Sequence, residues 1–348
     1  MMQPRVILPG RRHGRVIVPS SKSIAHREII AAALSGVDGP VVRGESRDTL
    51  ATRACLKAMM AGESLWPCGE SGSTMRFLTP LAGVMGWKGE FKCEGRLAGR
   101  PQLPFEKKSR YTVAGNVSSQ FISGLLMALP LASWDSEIVV DGRLESSAYV
   151  DLTEDTLREA GIVFEKPGLG QWKIPGGQRY RIRGGREVEG DWSQAAFFLA
   201  MGVDVGGVRA DSLQGDRAVV ELLNESTVDA SPVPDLIPAL AAHAAARPGE
   251  TRFINCARLR LKESDRLEST CAMVNSAGGN ARIEGDSLIV TGGAVRGGDV
   301  AAYGDHRIAM AAAVLATYAE NPVTVDDASV VSKSYPGFWN DFDSLELV

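Results

Sequence analysis

Hydrophobic and polar positions along the chain fall into two alternating kinds of segment. Short runs at 15–18, 137–140 and 287–291 read as strands, and between such runs lie apolar-periodic segments of roughly ten to sixteen residues with helical spacing. Strand-like and helix-like segments taking turns in this way indicate an α/β (α+β) chain. Glycine and proline punctuate it throughout.

The helical segments open alike: a small polar cluster, often after glycine, leads directly into the apolar run, as N-capping requires. Ser20-Ser21-Lys22-Ser23 precedes 24–34, Glu70-Ser71-Gly72-Ser73-Thr74 precedes 75–82, and Asn116-Val117-Ser118-Ser119-Gln120 precedes 121–129. Gly190-Asp191-Trp192-Ser193-Gln194 stands before 195–201, and Gly304-Asp305-His306-Arg307 before 308–318. Two openings share a Ser-Gln step and an apolar continuation, SSQFISGLLMAL and WSQAAFFLAM, which reads as a weak internal repeat. Helix N-termini that carry Ser, Gly and Arg suit phosphates or carboxylates, several such ends serving one cleft. The plainer reading of each is capping alone.

Composition narrows the picture. At 348 residues, 44% hydrophobic and 23% charged, the chain is long enough for two globular domains with real cores. A formal charge of -4 and the lack of a dense Lys/Arg run exclude a general nucleic-acid or membrane-surface binder, so any anion site is local. Cys55, Cys68, Cys93, Cys256 and Cys271 are odd in number, widely spaced and without a Cys-x-x-Cys pair, which fits a reducing cytosol better than disulfides or a zinc knuckle. The first ten residues lack a signal-like apolar core, and the longest near-continuous apolar stretch, 308–319, is too short to span a bilayer, so a cytoplasmic protein is expected.

Candidate chemistry lies in the polar clusters. Lys22, Ser23 and Arg27 can hold an anion if Ser23 caps a helix while the two cations reach its first turn. The segment 69–76, GESGSTMR, lacks the Gly-Lys-Ser/Thr ending of a nucleotide loop, and no Gly-x-Gly-x-x-Gly follows a strand. Lys262-Glu263-Ser264-Asp265-Arg266 reads most simply as ion pairing within one helix. Asp305-His306-Arg307 reads as a cap followed by two surface residues. The four histidines show no metal-binding spacing, so neither metal nor cofactor is expected and catalysis must use Lys, Arg and carboxylates.

Taken in order, PSSKSIAHR, ESGSTMRFL, Gly99-Arg100-Pro101, SSQF, LRLKESDRL, YGDHRIAMA and SKSYPGF closely resemble the motif series of the EPSP synthases, a family of enolpyruvyl transferases. The resemblance implies an inside-out α/β barrel-like fold of two similar domains, each of repeated βαβαββ units, with the active site in the cleft between them. By that analogy one domain covers 20–188 and the other 1–19 plus 189–348. It implies phosphoenolpyruvate and shikimate 3-phosphate as small-molecule substrates, transfer to the 5-hydroxyl with release of phosphate, a monomer with no nucleic-acid or membrane partner, and a place among glyphosate targets. Lys22, Gly72, Arg100, Gln120, Arg266, Arg307 and Lys333 match the family's phosphoenolpyruvate positions. Lys22, Ser23, Arg27, Ser118, Ser119, Gln120, Ser146, Asp235 and Lys262 match its shikimate 3-phosphate positions, with Tyr149 nearby. Asp235, Glu263 and Lys22 match its proton-transfer residues.

Three departures from the pattern stand out. Glu70 replaces a frequent Asn and puts an acid beside an anion site, and Arg258 replaces another. Two stretches are short: sixteen residues separate Pro101 from Ser118, and a second gap falls between Leu223 and Pro234, shortening the domains near 102–117 and 224–233. Two other readings stay open at this point. One is the sister transferase acting on UDP-N-acetylglucosamine, although Gly95 to Arg100 lacks that enzyme's reactive cysteine. The other is a non-catalytic metabolite-binding relative.

Overall fold

The computed structural model describes residues 2–348, which divide into two compact units, one of Ser21–Val188 and one that joins Glu189–Val348 to the chain start through Ser20. The chain opens with three short strands, β1 (Arg5–Ile7), β2 (Arg12–His13) and β3 (Arg15–Ile17).

The unit Ser21–Val188 then runs α1 (Lys22–Ser35), α2 (Arg47–Met60), β4 (Leu65–Gly69), α3 (Gly72–Met85), β5 (Glu90–Cys93), β6 (Arg110–Ala114), α4 (Ser119–Ala128), β7 (Ser136–Asp141), α5 (Ser147–Glu159), β8 (Glu165–Gly168) and β9 (Gln171–Ile174). Strands β4 and β5 pair in parallel. The other four form a sheet in the order β6-β7-β9-β8, parallel at β6/β7 and antiparallel elsewhere. Helix α4 lies close along α3 because Gly124 has no side chain: a Cβ there would sit 2.4 Å from the Arg76 carbonyl oxygen. That contact sets the first turns of both helices in register, which matters for the site below.

The second unit continues with α6 (Trp192–Ala200), β10 (Asp204–Gly206), α7 (Val219–Leu222), β11 (Thr227–Asp229), α8 (Ile237–Ala246), β12 (Gly249–Ile254), α9 (Arg266–Ser276), β13 (Asn280–Glu284), β14 (Ser287–Gly292), β15 (Gly298–Val300), α10 (His306–Tyr318), β16 (Val323–Val325), α11 (Phe338–Asp343) and β17 (Glu346–Leu347). Its sheet β11-β12-β14-β13 repeats the first strand for strand, a parallel pair followed by an antiparallel hairpin. Both are β-α-β-α-β-β units. The opening strands belong here: β1 pairs with β16, β2 with β17, and β3 with β10. Helix α10 is the core of this unit, buried at twelve of its thirteen positions, which is why its sequence is apolar nearly all round.

Several local readings change. The cap of α1 is Ser21, and Ser23 sits inside the first turn. Lys262–Arg266 is not one helix: α9 begins at Arg266 with Asp265 as its cap, so Lys262 lies outside it. His306 and Arg307 are buried rather than surface residues. The sheet repeat makes α8, not α6, the counterpart of α4, so the shared Ser-Gln step joins helices that are not equivalent.

Candidate active site

Every helix in the unit Ser21–Val188 is capped by serine: Ser21, Ser46, Ser71, Ser118 and Ser146 for α1 to α5. Ser46, Ser71 and Ser118 accept a backbone N–H of their helix without adding charge, whereas Ser21 and Ser146 cap without such a side-chain bond; a neutral cap leaves the positive end of the helix dipole available to an anion. Three of these starts are tied together by hydroxyls. His26 Nδ1 lies 2.7 Å from Thr52 Oγ1, Thr52 lies 2.6 Å from Thr74 Oγ1, and Thr74 donates to the Asp48 carbonyl. Burial, with Lys22 and Arg27 alongside, holds His26 well below the usual imidazole range, so it serves this network as a neutral core residue.

Lys22, the first residue of α1, points its ammonium at Asp48 in the first turn of α2, with Nζ to Oδ2 at 2.9 Å. Gly72, Arg100, Gln120 and Arg76 converge. A Cβ at Gly72 would lie 3.2 Å from Arg100 Nη1 and 3.3 Å from Arg76 Nη1. Arg76 donates to Gln120 Oε1 at 2.6 Å and to the Pro101 carbonyl, and Gln120 donates to Ser73 Oγ at 2.8 Å. Two guanidiniums beside one bare helix start make a cradle for a planar or tetrahedral anion.

Ser118 and Ser119 flank the start of α4, and Ser146 holds a left-handed conformation at φ 54°. Such a backbone in a residue other than glycine is costly and tends to persist at functional positions. Arg27 is buried, its guanidinium donating to Thr153 Oγ1, Ser123 Oγ and the carbonyls of Ser23 and Tyr149. Burial lowers it to about 9.

In the other unit three cations surround one carboxylate. Asp235 Oδ1 accepts from Arg266 Nη1 at 2.7 Å and from Lys262 Nζ at 3.2 Å, while Arg307 Nη2 stands 3.3 Å from Oδ2. Arg266 also donates to Glu263 Oε2 at 2.5 Å and reaches Asp305 with two nitrogens. Burial by itself would raise Asp235, but Arg307, Lys262 and Arg266 override it and hold the carboxyl well below its usual range. Arg266 is pulled the opposite way: burial opposes its charge, yet Asp305, Glu263 and Asp235 together keep it above the ordinary arginine value. Lys262 is lowered to about 8, burial outweighing Asp235. Asp216 accepts from Ser193 Oγ, and burial plus repulsion from Asp235 push it up to about 6. Lys333 ends the short turn Ala328–Lys333, half-buried.

A family model described as EPSP synthase (3-phosphoshikimate 1-carboxyvinyltransferase) matches residues 97–229 and 222–342. The chain belongs to this family. A protein from Clostridium kluyveri named 3-phosphoshikimate 1-carboxyvinyltransferase is 37% identical over 411 aligned positions, covering 97% of this chain and 96% of that protein. A namesake from Clostridium perfringens is 35% identical over 418, covering 99% and 98%. An EPSP synthase structure from Acinetobacter baumannii superimposes with a TM-score of 0.77 at 23% identity, over 99% of this chain and all of that one, a likeness of fold.

Within the EPSP synthase family the departures acquire a physical meaning. Glu70 turns its carboxylate onto Gly95, filling the space a side chain there would need. Arg258 lies near enough to Lys262 to help lower it. Cys93 has its thiol raised to about 11 by burial and by Cys68, the reverse of an activated nucleophile. Asp48 and Asp305 were not among the residues singled out as site residues in the sequence, yet they hold Lys22 and Arg266 in place. An acid in a helix's first turn is too ordinary a signal to mark Asp48.

Proposed function

We propose that this EPSP synthase family member transfers the enolpyruvyl group of phosphoenolpyruvate to the 5-hydroxyl of shikimate 3-phosphate and releases phosphate, a step toward chorismate and the aromatic amino acids. The observation that carries the reading is the Asp235 cluster, in which three cations and Glu263 gather around one carboxylate. The two units act as the two enolpyruvyl transferase domains, shortened near 102–117 and 224–233. The protein works in the cytoplasm as a monomer.

Phosphoenolpyruvate is assigned to Lys22, Gly72, Arg100, Gln120, Arg266, Arg307 and Lys333. Shikimate 3-phosphate is assigned to Lys22, Ser23, Arg27, Ser118, Ser119, Gln120, Ser146, Asp235 and Lys262. In the first step the 5-oxygen bonds to C2 of phosphoenolpyruvate, its proton passes to Asp235, and Glu263 or Lys22 delivers a proton to C3. In the second, a C3 proton is removed, the C2–C3 double bond re-forms, and the C2–O bond to phosphate breaks.

Held by three cations, Asp235 is a poor base. Substrate phosphates and carboxylates draw Lys262, Arg266 and Arg307 toward themselves, which raises the affinity of Asp235 for the hydroxyl proton. Substrate charge thereby prepares the base. The mechanism is tested with phosphoenolpyruvate carrying 18O in the bridge between C2 and phosphorus. Addition-elimination sends the label out in phosphate, whereas label retained in the organic product rejects C–O cleavage and with it this mechanism.

A further inference from the structure

The clostridial alignment runs over 411 positions, 63 more than the 348 residues of the chain, so the alignment includes positions with no residue here. The sixteen-residue stretch between Pro101 and Ser118 is one that the family resemblance reads as shortened. There the irregular segment 101–108 passes over α3 and α4 as a strap, and beneath it lies a cavity of about 260 Å³.

The cavity is built for a flat apolar body with an acidic end. Phe105 anchors the strap, so close over Gly83 that a Cβ there would be 2.1 Å from its ring, and it stacks on Tyr111 with centroids 6.0 Å apart. Phe121 and Leu125 of α4 supply the opposite wall. Three cations, Arg76, Lys108 and Arg110, face a single carboxylate, Glu106, around this space. Since a cavity of about 150 Å³ already accepts benzene, the space here admits a phenyl ring with a short chain.

We propose that this cavity is a binding site for a small aryl carboxylate, its ring against Phe105, Tyr111 and Phe121 and its carboxylate at Lys108 and Arg110. Both cations sit in exposed pairs, Lys108 with Glu106 at 2.7 Å and Arg110 with Glu137 at 3.2 Å. Exposed pairs hold weakly, so a ligand carboxylate replaces either partner at little cost. Arg76 lies 5.3 Å over Phe121 and also bonds Gln120, so a ligand here adjoins a residue of the Gly72 and Arg100 cradle. Occupancy therefore shifts phosphoenolpyruvate affinity, a consequence that rests on the proposed function, whereas the binding itself does not.

The test is isothermal titration of the purified chain with 3-phenylpropionate and, separately, with its neutral amide, with and without saturating phosphoenolpyruvate. The acid is expected to bind once per chain and the amide about tenfold more weakly. Arg110→Gln should bring the acid to the amide's level, and Leu125→Trp, which fills the cavity, should remove both. Arg110 is exposed, so its variant keeps the test decisive even if Leu125→Trp does not fold. No binding, equal binding of acid and amide, or binding indifferent to Arg110→Gln overturns the proposal. Binding that vanishes with phosphoenolpyruvate and is also indifferent to Leu125→Trp assigns the probe to the Gly72 cradle and overturns it as well.

Discussion

Arg266 grips Asp305 through two hydrogen bonds, Nε to Oδ2 at 2.9 Å and Nη2 to Oδ1 at 3.2 Å, with both side chains shut off from solvent. Asp305 also accepts from Ser264 Oγ and from the Arg307 backbone, so one carboxylate fixes the start of α9 to the start of α10. Breaking a buried pair strands a charge. Asp305→Asn should therefore destabilise the protein by about 3–5 kcal/mol, read as a lowered urea midpoint. An unchanged midpoint would mean that Asp305 does not organise the cluster.

Lys22 is aimed by Asp48 across two helix starts. Asp48→Asn leaves the shape of the side chain and removes the charge that holds the ammonium. Turnover should fall about ten- to hundredfold, in the range of one misplaced proton-transfer group. Unchanged kcat would release Lys22 from its assigned role.

Gly72 is bounded by two guanidiniums, Nη1 of Arg100 at 3.2 Å and of Arg76 at 3.3 Å from an added Cβ. Gly72→Ala obliges both to shift by a few tenths of an ångström. KM for phosphoenolpyruvate should rise about tenfold or more, since small displacements in a positioning cradle are costly, with KM for shikimate 3-phosphate almost unchanged. Equal rises in both would show that the cradle is not specific to phosphoenolpyruvate.

Asp216 carries a pH signature. Its carboxyl is raised to about 6 in the folded chain by burial and by Asp235, so the stabilisation from its proton is complete below the unfolded value near 4 and is lost as pH rises through 6. Asn mimics the protonated acid. Asp216→Asn should match the parent near pH 4 and exceed it by about 1–3 kcal/mol near pH 7, measured by urea unfolding at both. A variant that is less stable at the higher pH would contradict the raised carboxyl.

Much of the fold was legible because its signals are local. The strand at 137–140 and the serine- and aspartate-led helix openings follow from periodicity and capping, and all appear with ends shifted by a few residues. Ser23 was misread as a cap because three serines precede or follow Lys22, and spacing alone does not choose among them. The run from Lys262 to Arg266 looked like intrahelical pairing, yet Lys262 and Arg266 both bond Asp235, about thirty residues earlier in the chain. His306 and Arg307 looked like surface residues because polarity is the sequence's only measure of exposure. Their burial is imposed by the all-apolar helix they begin.

The most direct test of the account is release of inorganic phosphate by the purified protein supplied with phosphoenolpyruvate and either shikimate 3-phosphate or UDP-N-acetylglucosamine. Release with shikimate 3-phosphate alone is the result expected from the family and from the Asp235 cluster. Release only with the nucleotide sugar, or none despite binding of both substrates, would contradict it.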